Sequence, residues 1–260
     1  MKKILITGAN SYIGTSFEKY IKDNFSGQYQ VDTIDMIDGS WREKSFADYD
    51  SVFHVAGIAH QKETKENAHL YFDINRDLAV EVAKKAKKDG VNQFIFLSSM
   101  SVYGLETGII TKNTTPNPKS NYGKSKLQAE EQIAALRDVN FKICVLRPPM
   151  VYGDGCKGNY QSIVRLVRKL PIFPRVSNRR SLVHIDVLTR FVKYAIDQDL
   201  DGLYYPKNDK CVSTMHLAKE IADREHKKLY FSFVLGVVVI IFRPFSKTLK
   251  KAFGNLVYEL

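Results

Sequence analysis

A doubly wound α/β fold built on a parallel sheet is predicted by three observations. Short apolar runs alternate with helical stretches along most of the chain. The first run ends in a glycine that leads straight into a helix. Later runs end in Ala56, Ser99 and Arg147, residues suited to a cleft at strand ends rather than to strand interiors. Such alternation implies right-handed crossovers and helices on both faces of the sheet. The 260 residues and 44% hydrophobic content suffice for one large domain with a small additional lobe.

The first strand is Lys2 to Gly8, Lys-Lys-Ile-Leu-Ile-Thr-Gly, an apolar run fit for burial on both faces. Gly8 permits a tight turn, and Ala9-Asn10-Ser11-Tyr12-Ile13-Gly14 enters a helix running from Tyr12 to Asp23. Gly14 lets that helix pack closely on the strand. The helix start offers free N–H groups and a positive dipole end to a pyrophosphate. Gly8, Asn10, Ser11, Tyr12, Ile13 and Gly14 are therefore candidate cofactor-binding positions, with Ser11 where such turns usually carry a middle glycine. A tight loop with no ligand is the competing reading. The second strand, Val31 to Met36, carries Asp35 near its end. A carboxylate there accepts hydrogen bonds from an adenosine ribose and repels a 2′-phosphate, which favours NAD over NADP. Asp32 and Asp38 compete for that role.

Further strands are expected at Ser51–Ala56, Gln93–Ser98 and Phe141–Arg147, with helices at Asn67–Lys88, Asn121–Arg137 and Asp186–Gln198. Ligands of such sheets bind beyond the carboxyl ends of the strands, so Gly8, Ala56, Ser99 and Arg147 are expected around one cleft. The helix from Asn121 opens with Tyr122-Gly123-Lys124-Ser125-Lys126, a tyrosine and a lysine four residues apart on one face. An ammonium beside a phenol favours the phenolate, so Tyr122 is expected to ionise below its usual pKa of roughly 10. It would then accept a proton from a sugar hydroxyl while hydride leaves the same carbon.

Together these motifs resemble the extended short-chain dehydrogenase/reductase superfamily, the NAD-dependent epimerases and dehydratases. The resemblance runs from Lys2 to Asn208. It rests on Thr7-Gly8…Gly14, Val55-Ala56-Gly57, Asn75, Ser98-Ser99-Met100-Ser101-Val102-Tyr103-Gly104 and Tyr122…Lys126, then on Arg147-Pro148-Pro149…Tyr152-Gly153 and Arg180…His184-Ile185-Asp186. It implies a Rossmann-type sheet with NAD as cofactor and a nucleotide sugar as substrate. It also implies that Ser99 hydrogen-bonds the reacting oxygen, with Ser98 as competitor, and that Lys126 holds the nicotinamide ribose. Ala56 and Gly57 would line the cofactor path, and Asn75 would brace the site. Dehydratases of the family follow the active-site hydroxyl with an acidic pair; here Met100 and Ser101 follow Ser99, which disfavours dehydration. A 4-epimerase is the expectation, on a UDP-glucose or UDP-N-acetylglucosamine type of sugar, in surface-polysaccharide synthesis. A 4-keto-sugar reductase would use the same residues. An NAD-binding sensor without turnover is the reading from another class; such relatives usually lose the tyrosine or the lysine.

The resemblance also divides the chain. Residues 1–150 form the NAD-binding domain, with 180–205 returning to it, and 151–179 with 206–260 form a discontinuous substrate lobe. Gly158-Asn159 starts a helix whose N-terminus and Asn159 side chain would meet a diphosphate. Arg180 matches the family arginine that clamps that diphosphate, a task suited to its planar fork. Met150 stands where many relatives carry asparagine, so one usual sugar contact is missing.

The last region is unusual. Leu229 to Phe242 holds no charge, and Arg243, Lys247, Lys250 and Lys251 follow. The stretch is shorter than the roughly 20 residues that span a bilayer. Two readings stand: a buried helix or dimer surface, or an apolar segment lying on an anionic membrane. The second fits relatives that epimerise a polyprenyl-diphosphate-linked sugar, whose Gln-Ala-Glu-Glu run recurs here as Gln128 to Glu131. The net charge of +11 suits anionic lipids or nucleotide sugars, whereas the dispersed basic residues argue against nucleic acid. Three cysteines without metal-ligand spacing or a disulfide framework suit the cytoplasm and imply no metal. A homodimer is expected, in the cytoplasm or at the inner face of its membrane.

Overall fold

The computed structural model describes residues 1–59, 63–156 and 158–260, with the backbone alone at Asn159. The chain opens with β1 (Lys2–Thr7), α1 (Tyr12–Asn24), β2 (Tyr29–Ile34) and β3 (Ser51–His54). There follow α2 (Ala68–Phe72), a π-helical turn (Asp73–Leu78) and α3 (Ala79–Lys88), then β4 (Gln93–Leu97), β5 (Gly108–Ile110), α4 (Asn121–Ala134) and β6 (Lys142–Leu146). The remainder is β7 (Met150–Tyr152), α5 (Asn159–Lys169), β8 (Ile172–Pro174), β9 (Leu182–His184), α6 (Ile185–Asp197) and β10 (Gly202–Tyr204), then α7 (Thr214–Arg224), β11 (Tyr230–Ser232), α8 (Phe233–Phe242), α9 (Lys247–Phe253) and β12 (Leu256–Tyr258).

Among the described residues, six strands form the main sheet in the order β2-β1-β3-β4-β6-β10, each pair parallel. Alternation along each strand feeds two cores, because successive side chains point to opposite faces. Leu5, Val52, Phe94 and Phe96 pack on α3 and α4 through Val80, Ala83, Ala129 and Ile133. Ile4, Ile6, Phe53 and Ile95 pack on α1 and α6 through Phe17, Ile21, Leu188 and Val192. Each of the valine, leucine, isoleucine and phenylalanine side chains, once fully buried, contributes about 1.5–3 kcal/mol. The sheet is thus doubly wound, and its order reverses where β1 stands between β2 and β3. That crevice is where such sheets bind ligands.

A smaller lobe surrounds Tyr160, Val164, Phe173, Leu217, Ile221 and Phe253. Strand β8 pairs with β11, and β12 pairs with β5. Strand β9 pairs with β7, after which α6 and β10 rejoin the main sheet.

Several boundaries differ from those read in the sequence. Ala56, Ser98, Phe141 and Arg147 lie outside the strands, although the Ser98 and Arg147 N–H groups still donate to the Leu146 and Tyr204 carbonyls at 2.8 and 2.9 Å. The helix expected over Asn67–Lys88 carries a π-helical turn in its middle, and α4 stops at Ala134 rather than Arg137. The apolar run Leu229–Phe242 splits into β11 and α8.

Candidate active site

The turn after β1 is built for close approach. Gly8 has φ +102°, and a Cβ there would lie 2.8 Å from the Ala56 nitrogen. The ends of β1 and β3 therefore meet backbone to backbone. The Ile34 carbonyl accepts from the N–H groups of both Gly8 and Ala9, at 3.0 and 3.1 Å, so Asp35 directly adjoins the turn. Asn10 adopts φ 63°, in the left-handed region that asparagine tolerates. The Ser11 hydroxyl turns back to cap α1, accepting the Gly14 N–H at 3.1 Å. A Cβ on Gly14 would strike that hydroxyl at 2.6 Å and Ile6 at 3.1 Å, so the glycine sets the helix-to-strand distance. With Gly14 capped, the Tyr12 and Ile13 N–H groups stand at the helix start, where no intrahelical carbonyl reaches them. Of the competing aspartates, Asp32 accepts from the Tyr49 hydroxyl at 2.9 Å, and Asp38 holds the Ser40 turn. Asp35 accepts the Ile37 N–H at 3.0 Å through one carboxylate oxygen. The cradle, the N–H pair at the helix start and that carboxylate beside them fit a dinucleotide.

A second cluster lies at the ends of β3 and β4. Asn75 is fully buried in the π-helical turn. Its amide brackets the loop after β3, accepting the Ile58 N–H at 2.8 Å and donating to the Ile58 carbonyl at 3.0 Å. It also reaches Ser125 of α4 at 3.3 Å. A Cβ on Gly57 would stand 2.7 Å from the Asn75 oxygen and 3.4 Å from the Lys126 Nζ, so these three residues converge. Lys126 donates to the Leu97 carbonyl at 2.9 Å and lies 4.7 Å from the centre of the Phe96 ring. Burial lowers its pKa to about 8, against the opposing charge of Glu130.

Ser99 adopts an extended backbone and caps the short 3₁₀ turn Met100–Tyr103, accepting the Ser101 N–H at 3.1 Å. A Cβ on Gly123 would lie 2.6 Å from the Ser101 carbonyl, so the start of α4 rests directly on this turn. That contact brings Tyr122 to Ser99, whose hydroxyl hydrogen-bonds the phenol. The sequence led us to expect an acidified Tyr122. The structure corrects this: the protein enclosing its hydroxyl raises the pKa, and the opposing Ser99 bond does not cancel the effect. Tyr122 as a whole residue is half-buried.

The chain also places residues that the sequence did not single out for roles. Glu130 continues the Tyr122–Lys126 stripe by one more turn and forms a buried fork with Arg147, whose Nη2 lies 2.5 Å from Oε2. Arg147 further donates to the Tyr103 hydroxyl at 2.8 Å. Ser98 hydrogen-bonds Glu130 and is thereby committed below the site, which leaves Ser99 as the hydroxyl beside Tyr122. Arg147, expected at the cleft, lies instead in this buried floor. His54 is buried between Phe94 and Phe96 with its Nδ1 2.7 Å from the Thr7 hydroxyl. Burial, reinforced by the Lys126 charge, lowers its pKa to about 3 and keeps it neutral. The spacing 122, 126, 130 was the available signal for Glu130; nothing local pointed to His54.

Arg180 sits on the lobe side, half-buried, donating to the Gly254 carbonyl at 3.0 Å. Met150 opens β7 and packs on the lobe core. The Asn159 side chain lies outside the described residues, although α5 does begin there. Tyr12 bridges the halves: its buried hydroxyl stands 3.1 Å from the position a Cβ on Gly153 would take.

Residues 4–204 match the NAD dependent epimerase/dehydratase family. The chain is 32% identical over 246 residues to a UDP-glucose 4-epimerase of Vibrio cholerae, covering 85% of this chain and 75% of that protein. It is 26% identical to an N-acetyl-alpha-D-glucosaminyl-diphospho-ditrans,octacis-undecaprenol 4-epimerase of Escherichia coli O157:H7, covering 87% of this chain and 73% of that protein. Its fold is similar to the crystal structure of a dTDP-4-dehydrorhamnose reductase from Clostridium acetobutylicum, with a TM-score of 0.73 at 24% identity, over 88% of this chain and 82% of that one.

Proposed function

We propose, from the premise that the chain belongs to the NAD-dependent epimerase/dehydratase family, that it interconverts the C4 epimers of a nucleotide-linked hexose. The substrate is of the UDP-glucose or UDP-N-acetylglucosamine type, and surface-polysaccharide synthesis is the setting. The observation that carries the reading is the convergence of Ser99 and Tyr122 at the end of β4, with Lys126, Gly57 and Asn75 grouped beside it.

Tyr122 takes the proton of the C4 hydroxyl as the C4–H bond breaks, and a carbonyl forms at C4. Ser99 hydrogen-bonds the same oxygen. NAD, when bound, supplies the acceptor that takes the hydride and later returns it. Gly8, Ala56 and the helix start at Tyr12 and Ile13 would hold its pyrophosphate, Asp35 its adenosine ribose and Lys126 its nicotinamide ribose. The keto sugar then presents its other face, and Tyr122 gives the proton back to the oxygen. Its raised pKa makes the phenolate a stronger base toward the C4 hydroxyl but the less populated form, and it opposes rather than assists the return of the proton. The cycle leaves no net change in proton or hydride. Met100 and Ser101 provide no acid and base for loss of water. Arg180 of the lobe would pair with the substrate diphosphate.

The test is incubation of the purified protein with UDP-glucose or UDP-N-acetylglucosamine without added reductant, followed by NMR of the sugar. Appearance of the C4 epimer supports the reading. Turnover only with added NAD(P)H and a 4-keto sugar would assign a reductase instead. A second reading, a sugar carried on polyprenyl diphosphate, is favoured by the exposed apolar helix α8 on the substrate lobe and by likeness to the undecaprenol-linked epimerase. Turnover of lipid-linked N-acetylglucosamine but not of UDP-sugars would establish it.

A further inference from the structure

Helix α8 reads Phe-Val-Leu-Gly-Val-Val-Val-Ile-Ile-Phe, ten residues without a polar side chain. A helix that is apolar all round is ordinarily buried in a core or in a membrane. This one is not buried by its own chain. Phe233 and Val234 are each 70% exposed, and Val238, Ile241 and Phe242 are all exposed as well. Phe245, just beyond the helix, is 86% exposed. Its protein side is narrow. A Cβ on Gly236 would lie 2.3 Å from the Arg175 carbonyl, and Val239 packs on the lobe core. At 100° per residue, the exposed positions sweep roughly 220° of the helix surface. The core-facing apolar stripe of an ordinary surface helix is about 100° wide or somewhat more. So wide an apolar arc calls for a surrounding medium rather than a single partner surface.

The charge around the helix identifies that medium. From His226 to Tyr258 the chain carries Lys227, Lys228, Arg243, Lys247, Lys250 and Lys251, with no aspartate or glutamate. Lys227 and Arg243 donate to backbone carbonyls and Lys251 lies 3.9 Å from Glu106, which leaves Lys228, Lys247 and Lys250 as the cations for an outside anion. Among the described residues no helix is long and apolar enough to cross a membrane. Ten residues extend only about 15 Å, roughly half of a bilayer's hydrocarbon thickness. A short apolar helix ringed by cations lies in the plane of a membrane interface, its hydrocarbon below the headgroups and its lysines against their phosphates.

We propose that α8 and the basic residues flanking it form a peripheral attachment site for an anionic bilayer surface. The site would hold the substrate lobe against the membrane while the NAD-binding sheet stays in solution. This inference does not depend on the sugar reaction, which can be assayed on soluble substrates in the same preparation.

The test is co-sedimentation of the purified chain with vesicles of phosphatidylcholine, alone or mixed with phosphatidylglycerol. The chain is expected to pellet with the mixed vesicles and to be released by high salt, which screens the attraction. Val238→Asp with Ile241→Asp should abolish pelleting, and Lys247→Gln with Lys250→Gln should weaken it about 25-fold, at roughly fivefold per charge. Retained NAD binding in these variants shows that they are folded. Failure of the parent chain to pellet with anionic vesicles overturns the proposal, as does unchanged pelleting by the aspartate variant. A dimer in sedimentation velocity that the aspartate variant dissolves, without vesicle binding, would give the helix to a second copy and also overturn it.

Discussion

Helix α4 buries charge where helix α8 exposes hydrocarbon, and each inverts the usual division between interior and surface. In α4, Ser125, Lys126 and Glu130 are all buried, and each has a partner inside the chain: Asn75, the Leu97 carbonyl and Arg147. In α8, Gly236 is the buried residue, and the aliphatic and aromatic groups around it reach solvent. A buried polar group and an exposed apolar patch are the two departures that carry information about function. The contrast teaches where each function points. The polar groups of α4 are satisfied inward and serve a site within the chain, whereas the apolar groups of α8 find no cover there and serve a contact outside it.

The contrast predicts that a change on α4 acts on chemistry or folding, and the largest effect is expected at its first turn. Tyr122→Phe removes the proton acceptor while keeping the ring that fills the site. Epimerase turnover should fall by about 10²- to 10⁴-fold, the usual worth of a positioned acid–base group. NAD affinity and melting temperature should change little. Normal turnover in this variant would remove Tyr122 from the mechanism.

Two turns further along α4 stands Glu130, and Arg147→Met leaves it charged and without its fork in the buried floor. Breaking a buried pair on one side costs about 3–5 kcal/mol, measurable by urea unfolding. A loss below 1 kcal/mol would mean that Glu130 finds other solvation and that the floor is not a structural unit.

Lys126 separates stability from activity. Its folded pKa of about 8 lies below its ordinary 10.5, so between those values the unfolded chain binds more protons than the folded one. Stability should therefore rise with pH across that window, and the penalty is present in full below pH 8. Lys126→Met should be the more stable protein at pH 7, by on the order of 2–3 kcal/mol, with the gap closing toward pH 10. Its turnover should nevertheless fall. Thermal melts at the two pH values decide the matter: a variant less stable than the parent at pH 7 would mean that the bond to Leu97 outweighs burial.

The same contrast accounts for what the sequence made legible. Strand runs, the Gly8 turn and the Tyr122–Lys126 stripe are local patterns, and all three stand in the structure near their expected positions. The Glu130–Arg147 pair joins residues 17 positions apart on different elements, which no local pattern connects. The direction of the Tyr122 shift was misread because spacing registers a neighbouring ammonium but not the enclosing protein, and enclosure dominates. His54 ends an apolar strand, and only the pairing of β3 with β4, which sets its ring on Phe94 and Phe96, gives it a fully buried, neutral state. For α8 the apolar run was plain. Its exposure was not, because hydropathy records what a segment avoids and not what covers it.

The smallest expected effect is therefore as diagnostic as the largest. Ile241 is 58% exposed, so Ile241→Asp removes little burial and adds a charge that water already solvates. Stability should change by no more than about 0.5 kcal/mol, as for surface substitutions generally. Turnover of a soluble nucleotide sugar should be unaltered, because α8 packs on β8 and α9 of the smaller lobe. A loss of 2 kcal/mol or more in urea unfolding would mean that α8 is packed in solution, in a second copy or elsewhere in the fold. The asymmetry between the two helices would then disappear, and α8 would join the ordinary core.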